Sequence, residues 1–283
     1  MSWTIEGRHV LITGGNSGIG RATAAELARR GAQVTITARD PRRGASAAAE
    51  IDASTGATVI VEQLDLASLD SIRAFADRFS PDRLDVLINN AGVMTGKRLE
   101  TPDGFEWTFG VNHLGPFLLT NLLTRNLVAS APSRVITVSS ENYRRVKGGL
   151  DFDDLQAKRG FNSNMAYAGS KLANILFTIE LDRRLAGSGV TARALHPGVV
   201  GTSFGQGREG SKTMGLMMRL LKPFLASPAE GASTSVHLAT ASDDEVARGL
   251  YWADGDVKER LAIACDQAAA RQLWDVSAEL VGL

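Results

Sequence analysis

Tyr167 and Lys171 are the residues whose types and spacing could do chemistry. They open a run from Met165 to Leu185 in which Leu172, Ile175, Leu176, Ile179 and Leu185 recur at helical spacing. Residues four apart on a helix stand one turn above each other on one face, so the phenol and the ammonium share a space. A phenol titrates near pH ~10 in isolation, too high for easy proton exchange at neutrality. A fixed cation beside it favours the phenolate, which predicts a lowered pKa for Tyr167 and a usable general acid/base. By itself the pair is also what an ordinary amphipathic helix could carry.

Such a pair needs elements to hold it against a reactant, and the N-terminal region predicts them. The apolar run His9 to Thr13 ends in Gly14-Gly15-Asn16-Ser17-Gly18-Ile19-Gly20, and Arg21 to Arg30 then reads as a helix. Strand, glycine turn and helix in that order open a dinucleotide-binding βαβ unit, with the pyrophosphate on the helix N-terminus. The spacing is Gly14-x-x-x-Gly18-x-Gly20 rather than G-x-G-x-x-G. A second strand, Gln33 to Asp40, ends in Ala38-Arg39 where ribose selectivity is decided. Arginine there favours a 2′-phosphate and hence NADP(H). The competing readings are Asp40 on a free 2′-hydroxyl, which would make the cofactor NAD(H), or Arg39 as a solvated loop cation.

The rest of the chain continues the alternation. A helix from Pro41 to about Ser54 precedes a strand from Thr58 to Leu66, with Asp65 at its end as an adenine acceptor or a cap for a helix starting near Ser68. The nearly all-apolar strand Leu84 to Ile88, covered on both faces, runs into Asn89-Asn90-Ala91-Gly92, where small residues let a flat ring pass close to the backbone. A helix over about Pro102 to Ser130 should kink just beyond Asn112, because Pro116 removes a hydrogen bond and Gly115 loosens the turn. Asn112 is then either positioned for chemistry or a satisfied amide that stabilises the bend, while His113 reads as a packing or surface residue. The strand Arg134 to Val138 ends in Ser139-Ser140, hydroxyls that could donate to a substrate oxygen or cap a turn. Asp151, Asp153 and Asp154 lack the spaced ligands of a calcium loop and read as solvated surface, so no metal is expected.

A strand from Val190 to Leu195 leads into His196-Pro197-Gly198-Val199-Val200-Gly201-Thr202. Residues 203–226 then turn from glycine-rich to apolar, with Met214, Met217 and Met218 among leucines, a composition suited to a substrate lid or to a packing helix. A helix from Pro228 to Ala241, a short strand from Gly249 to Trp252 and a closing helix from Asp266 to Leu280 complete the pattern. Seven strands alternating with helices predict one doubly wound, mainly parallel α/β Rossmann domain over residues 1–283.

Composition narrows the partner. With 31 basic against 31 acidic residues the chain has no electrostatic footprint for nucleic acid or an anionic membrane. No apolar segment reaches a spanning length, and Met1 to Arg8 holds no apolar signal core. The single cysteine, Cys265, excludes an intramolecular disulfide and fits the reducing cytoplasm. A small-molecule partner is expected.

Thr13-Gly14-x-x-x-Gly18-x-Gly20, Asn89-Asn90-Ala91-Gly92, Asn112, Ser140, Tyr167-x-x-x-Lys171 and Pro197-Gly198, in this order, resemble a short-chain dehydrogenase/reductase over essentially the whole chain. Ala38-Arg39, Val111 to Gly115, Tyr167 to Asn174 and the ending Leu273 to Leu280 resemble that family's retinol-dehydrogenase-like branch. The resemblance implies that Tyr167 donates and accepts the proton and that Lys171 lowers its pKa and holds the nicotinamide ribose. Ser140, rather than Ser139, would polarise the substrate oxygen, and Asn112 would stabilise a relay water. It implies a cofactor cradle of Gly14, Asn16, Ser17, Gly18, Ile19 and Gly20, continued by Arg39, Asp65 and Leu66. Asn89, Ala91 and Gly92 would follow, then Tyr167 and Lys171, and finally Pro197, Gly198, Val200 and Thr202. The implied reaction is NADP(H)-dependent interconversion of an apolar aldehyde or ketone and its alcohol, in a chain able to form homo-oligomers. The alternative is a regulator that kept the fold to sense NADPH without catalysis.

Overall fold

A computed structural model describes residues 3–79, 83–198 and 227–283. Its first half repeats strand and helix: β1 (His9–Ile12), α1 (Gly18–Arg29), β2 (Gln33–Ala38), α2 (Pro41–Thr55), β3 (Ile60–Gln63), α3 (Leu69–Arg78) and β4 (Val86–Asn89). Then come α4 (Trp107–Phe109), a π-helical turn (Gly110–Leu114), α5 (Gly115–Ala129) and β5 (Ser133–Val138). A 3-10 turn (Glu141–Arg145), α6 (Ser163–Arg184) and β6 (Val190–Leu195) follow. The C-terminal part holds α7 (Pro228–Thr240), α8 (Asp243–Val246), β7 (Tyr251–Ala253), β8 (Asp256–Val257) and α9 (Gln267–Val281).

The strands form one sheet in the order β3-β2-β1-β4-β5-β6-β7-β8, parallel from β3 to β7 and closed by the antiparallel β8. Eight strands replace the seven expected, because the turn at Asp254-Gly255 folds Asp256 and Val257 back along β7 as a hairpin edge. The fold is Rossmann-like, with its order reversing between β1 and β4, whose carboxyl ends therefore flank the crevice where open α/β sheets bind ligands.

Every residue of β1, β4 and β5 is buried, as strands covered on both faces require. Side-chain alternation divides the core. Leu11 and Leu87 pack with Phe75, Phe117, Leu172 and Leu273 on the side of α3, α5, α6 and α9. Val10, Ile12, Val86 and Ile88 pack with Ala24, Leu27, Ile51 and Val236 on the side of α1, α2 and α7.

The helix expected to begin at Pro102 begins at Trp107. Thr101 holds a separate turn, accepting from Gly104 N through its carbonyl and from Phe105 N through its hydroxyl, and Glu106 caps α4 through Thr108 N and Phe109 N. The irregularity expected just beyond Asn112 is the π turn, which has Asn112 at its middle. Gly115 is needed for contact: a Cβ there would stand 2.5 Å from the Leu66 carbonyl oxygen. The segment 203–226, expected to form a lid, lies outside the described residues, as do Val200 and Thr202.

Candidate active site

The glycine loop is shaped by close approach. Gly14 and Gly18 take φ of 65° and 53°, in the left-handed region that favours glycine. A Cβ on Gly20 would come within 2.4 Å of Asn90 Nδ2 and 2.5 Å of Gly14 O, so helix, loop and β4 end are in direct contact. Thr13 ties the same corner: its hydroxyl accepts from Asn90 N at 3.0 Å and Ala91 N at 3.1 Å, while its carbonyl accepts from Asn90 Nδ2 at 2.9 Å. Asn16, Ser17 and Ile19 lie half-buried along this loop. Ser17 is the N-cap of α1 with no side-chain capping bond, and the first turn of α1 carries no acidic residue. The positive end of α1 is thus left to a ligand's anionic group.

At the end of β2, Arg39 and Asp40 are both exposed. Asp40 is occupied as the N-cap of α2, accepting from Arg42 N at 2.9 Å. Arg39 has no ion-pair partner among the described residues. Asp65 lies half-buried just past β3, its carboxylate accepting from Ala67 N at 3.0 Å, while Ser68 rather than Asp65 caps α3. Leu66 is buried beneath the same corner. Ala91 and Gly92 are half-buried beside Gly14. The Asn89 amide turns into the core and donates to Thr120 Oγ1 at 2.9 Å, which leaves its backbone at the end of β4 beside the loop. Asn90 and Thr13 are the side chains that shape the cradle. Their signal was present, because both flank the glycines at strand ends.

Ser140, Tyr167 and Lys171 come together at the carboxyl end of β5. Lys171 is buried on α6 and donates Nζ to the Val138 carbonyl at 3.0 Å. Its Nζ is 5.6 Å from the centroid of the Tyr167 ring, so the four-residue spacing does bring the pair together. Burial pushes Lys171 down to about 8. The expected lowering of Tyr167 by Lys171 is reversed: burial pushes the phenol up to about 12, and a hydrogen bond with Ser140 only partly opposes this. Removing the phenolate from water costs more than one neighbouring dipole returns.

The two serines separate by direction. Ser139 is buried and donates Oγ to the Lys171 carbonyl at 2.7 Å, fastening α6 to β5. Ser140 is half-buried, accepts from Asn142 N at 3.3 Å, and its hydroxyl reaches the Tyr167 phenol. Asn112 is fully buried and tied on both sides: Oδ1 accepts from Val93 N at 2.7 Å, and Nδ2 donates to Val93 O at 2.9 Å and Ser170 Oγ at 3.0 Å. It thereby joins the loop after β4 to the turn of α6 that carries Tyr167. Pro197 and Gly198 follow β6, and Gly198 N donates to His196 Nδ1 at 3.1 Å. Among the described residues no three His, Cys, Asp or Glu side chains cluster as a metal would require.

Glycine cradle, uncapped helix and half-buried Tyr167 beside the buried Lys171 together have the geometry of a nicotinamide-dependent oxidoreductase. The family model for short chain dehydrogenases matches residues 8–212. The chain belongs to that family and is an oxidoreductase acting on alcohol and carbonyl groups. It is 47% identical to retinol dehydrogenase 14 of Homo sapiens, over 99% of this chain and 88% of that protein. It is 49% identical to retinol dehydrogenase 12 of Mus musculus, over 99% and 88%. Among solved structures, an uncharacterized protein from Mycobacterium paratuberculosis superposes with a TM-score of 0.75 at 36% identity, covering 100% of this chain and 98% of that one. RhlG of Pseudomonas aeruginosa, in complex with NADP, gives 0.66 at 27% identity, covering 84% and 91%. A Burkholderia phymatum member in complex with NAD gives 0.68 at 22%, covering 88% and 89%, a likeness of fold alone. Among the described residues no helix is long and apolar enough to cross a membrane.

Proposed function

We propose that this chain is an NADP(H)-dependent carbonyl reductase and alcohol dehydrogenase for an apolar substrate, with Tyr167 as the general acid/base. The observation that carries the reading is the convergence of Ser140, Tyr167 and Lys171 beside the glycine cradle. The cofactor, when bound, supplies the hydride. The chain's own residues handle the proton and the developing charge. A phenol pushed up to about 12 is fully protonated at neutral pH, so Tyr167 stands ready to donate to a carbonyl oxygen as that oxygen becomes an alkoxide. Ser140 contributes a second hydrogen bond to the same oxygen, and Lys171, anchored by Val138 O, supplies a fixed positive charge nearby. Asn112 keeps the Tyr167 turn in register with the loop after β4.

An Arg39 guanidinium with no ion-pair partner among the described residues, and the commitment of Asp40 to capping, favour a 2′-phosphate over a 2′-hydroxyl. The apolar substrate class rests on the methionine- and leucine-rich sequence between Met214 and Leu221, and a cytoplasmic setting on the single cysteine. Tyr167→Phe is expected to lower turnover by about 10²–10⁴-fold while NADPH still binds, measured by steady-state kinetics alongside fluorescence titration. Retained turnover would remove Tyr167 from its role. Titration of wild type and Arg39→Ala with NADPH and NADH tests the cofactor: a preference for NADPH that the substitution erases supports NADP, whereas equal or tighter NADH binding by wild type assigns the enzyme to NAD.

A further inference from the structure

A line of buried polar side chains runs from the C-terminal helix to the lysine, outside the Tyr167–Ser140 pair. Ser277 on α9 has its Oγ 2.8 Å from Nε2 of His113, which sits next to Asn112 in the π turn. Asn174, three residues beyond Lys171 on α6, donates Nδ2 to Val138 O at 3.2 Å, the carbonyl that also accepts Lys171 Nζ at 3.0 Å. None of Ser277, His113, Asn174 and Lys171 is more than 2% exposed. Two atoms of this line are left over: His113 Nδ1 and Asn174 Oδ1 are buried without a regular hydrogen-bond partner. The His113 ring lies against the same stretch of α6, edge-on to Phe177 three residues beyond Asn174 at 6.2 Å between ring centroids, and Asn174 opposes the fall in proton affinity that burial imposes on the ring.

The line has only one self-consistent polarity. A carbonyl can only accept, so the Asn174 amide must present Nδ2 to Val138 O, which leaves Oδ1 in need of a donor. A neutral imidazole has one N–H. With the proton on Nδ1, His113 supplies that donor and Nε2 accepts from the Ser277 hydroxyl. With the proton on Nε2, His113 Nδ1 and Asn174 Oδ1 are both buried acceptors and both stay unsatisfied, which is costly. Burial holds the ring neutral at physiological pH, with its pKa pushed down to about 3.

We propose that His113 is a positioning residue, held as the Nδ1–H tautomer, which locks the Asn174 amide and so fixes the Val138 carbonyl that receives Lys171. The proposal rests on the carbonyl-reductase reading for its effect on turnover, but not for its structural content. A side chain that reads as packing in the sequence thereby couples the C-terminal helix to the reacting group.

The decisive measurement is the long-range 1H–15N NMR spectrum of the histidine rings in the full-length protein, assigned with His113→Phe. A protonated Nδ1 and an unprotonated, hydrogen-bonded Nε2 are expected for His113; an Nε2–H ring overturns the proposal. His113→Phe should keep the aromatic packing but lower kcat/KM by about tenfold or more, since small displacements of catalytic groups are costly. His113→Gln, which restores a donor, should recover most of it. Equal losses in both variants, or none in His113→Phe, overturn the positioning role. If His113→Phe does not fold, Ser277→Ala takes its place: a perturbed Nε2 signal and a smaller loss of kcat/KM are expected, and an unchanged signal overturns the relay. Wild type that shows the Nδ1–H ring yet reduces no carbonyl compound supports the relay and removes the function, whereas turnover with an Nε2–H ring does the reverse.

Discussion

At the scale of single residues, the site is governed by what burial does to charge. Lys171 is pushed down to about 8 and Tyr167 up to about 12, so both prefer their neutral forms more than they do in water. Since kcat/KM reports the free enzyme, carbonyl reduction should hold steady below neutrality and fall above pH about 8 as Lys171 loses its proton. A pH–rate profile flat to pH 10 would sink this assignment. The linkage to stability has opposite signs for the two groups. The unfolded chain holds more protons on Lys171 between about 8 and 10.5, so its contribution to stability rises with pH there. The folded chain holds more on Tyr167 between 10 and about 12, so its contribution falls in that range. The proximity of the pair was readable from Tyr167-x-x-x-Lys171, because helical spacing is local. The direction of the phenol's shift was not, because desolvation depends on what β5, α6 and the Ser140 turn cover.

At the scale of elements, the site depends on backbones that touch. Gly115 brings the start of α5 against the carbonyl of Leu66, just past β3, and a Cβ would sit 2.5 Å from that oxygen and 3.1 Å from Leu66 Cβ. Gly115→Ala should therefore destabilise the fold by about 1–3 kcal/mol, whereas Gly160→Ala, with open space around it, should be near neutral. Chemical denaturation of the two variants checks this; equal midpoints would refute the close-contact argument. The strand, glycine turn and α1 were legible because each signal lies within a few residues. The start of the helix before Asn112 was misplaced, because the Thr101 turn and the Glu106 cap imitate a helical beginning. The direction of the Asn89 side chain was not legible for another reason: alternation along β4 turns it inward to Thr120, which only the register of the sheet decides.

At the scale of the whole molecule, α9 closes the side of the sheet that carries α6, the helix of Tyr167 and Lys171. Leu273 is fully buried, and Trp274 packs edge-on against Phe117 at 5.0 Å between ring centroids and stacks on Phe177 at 5.9 Å. The faces of α5 and α6 that carry Phe117 and Phe177 are thus covered by α9. Leu273→Ala should cost about 2–5 kcal/mol of stability, measured by thermal or denaturant unfolding, and a loss below 1 kcal/mol would show that α9 is dispensable to the core. At the opposite edge of the core, Trp3 lies between the guanidinium groups of Arg8 and Arg134, at 3.8 and 3.6 Å from its ring centroid. Its Nε1 donates to Ala239 O at 2.9 Å, fastening the N-terminal segment to α7.

The sequence by itself determined the Rossmann-like fold, the family, the glycine cradle and the Tyr167–Lys171 pair. These signals are periodicities and spacings that survive without knowledge of distant neighbours. Only the tertiary structure decided that Ser139 braces α6 while Ser140 faces the phenol, and that Asn112 is tied to Val93 and Ser170. It also decided that the Asn90 amide ties the glycine loop to the end of β4 while that of Asn89 turns to Thr120, and that His113 lies between Ser277 and the Asn174–Phe177 stretch of α6. In each case adjacent or chemically equivalent side chains compete for one role. The choice rests on which of them a strand's register or a remote helix turns toward the site, and partners 58, 77 and 164 residues away leave no trace in local sequence.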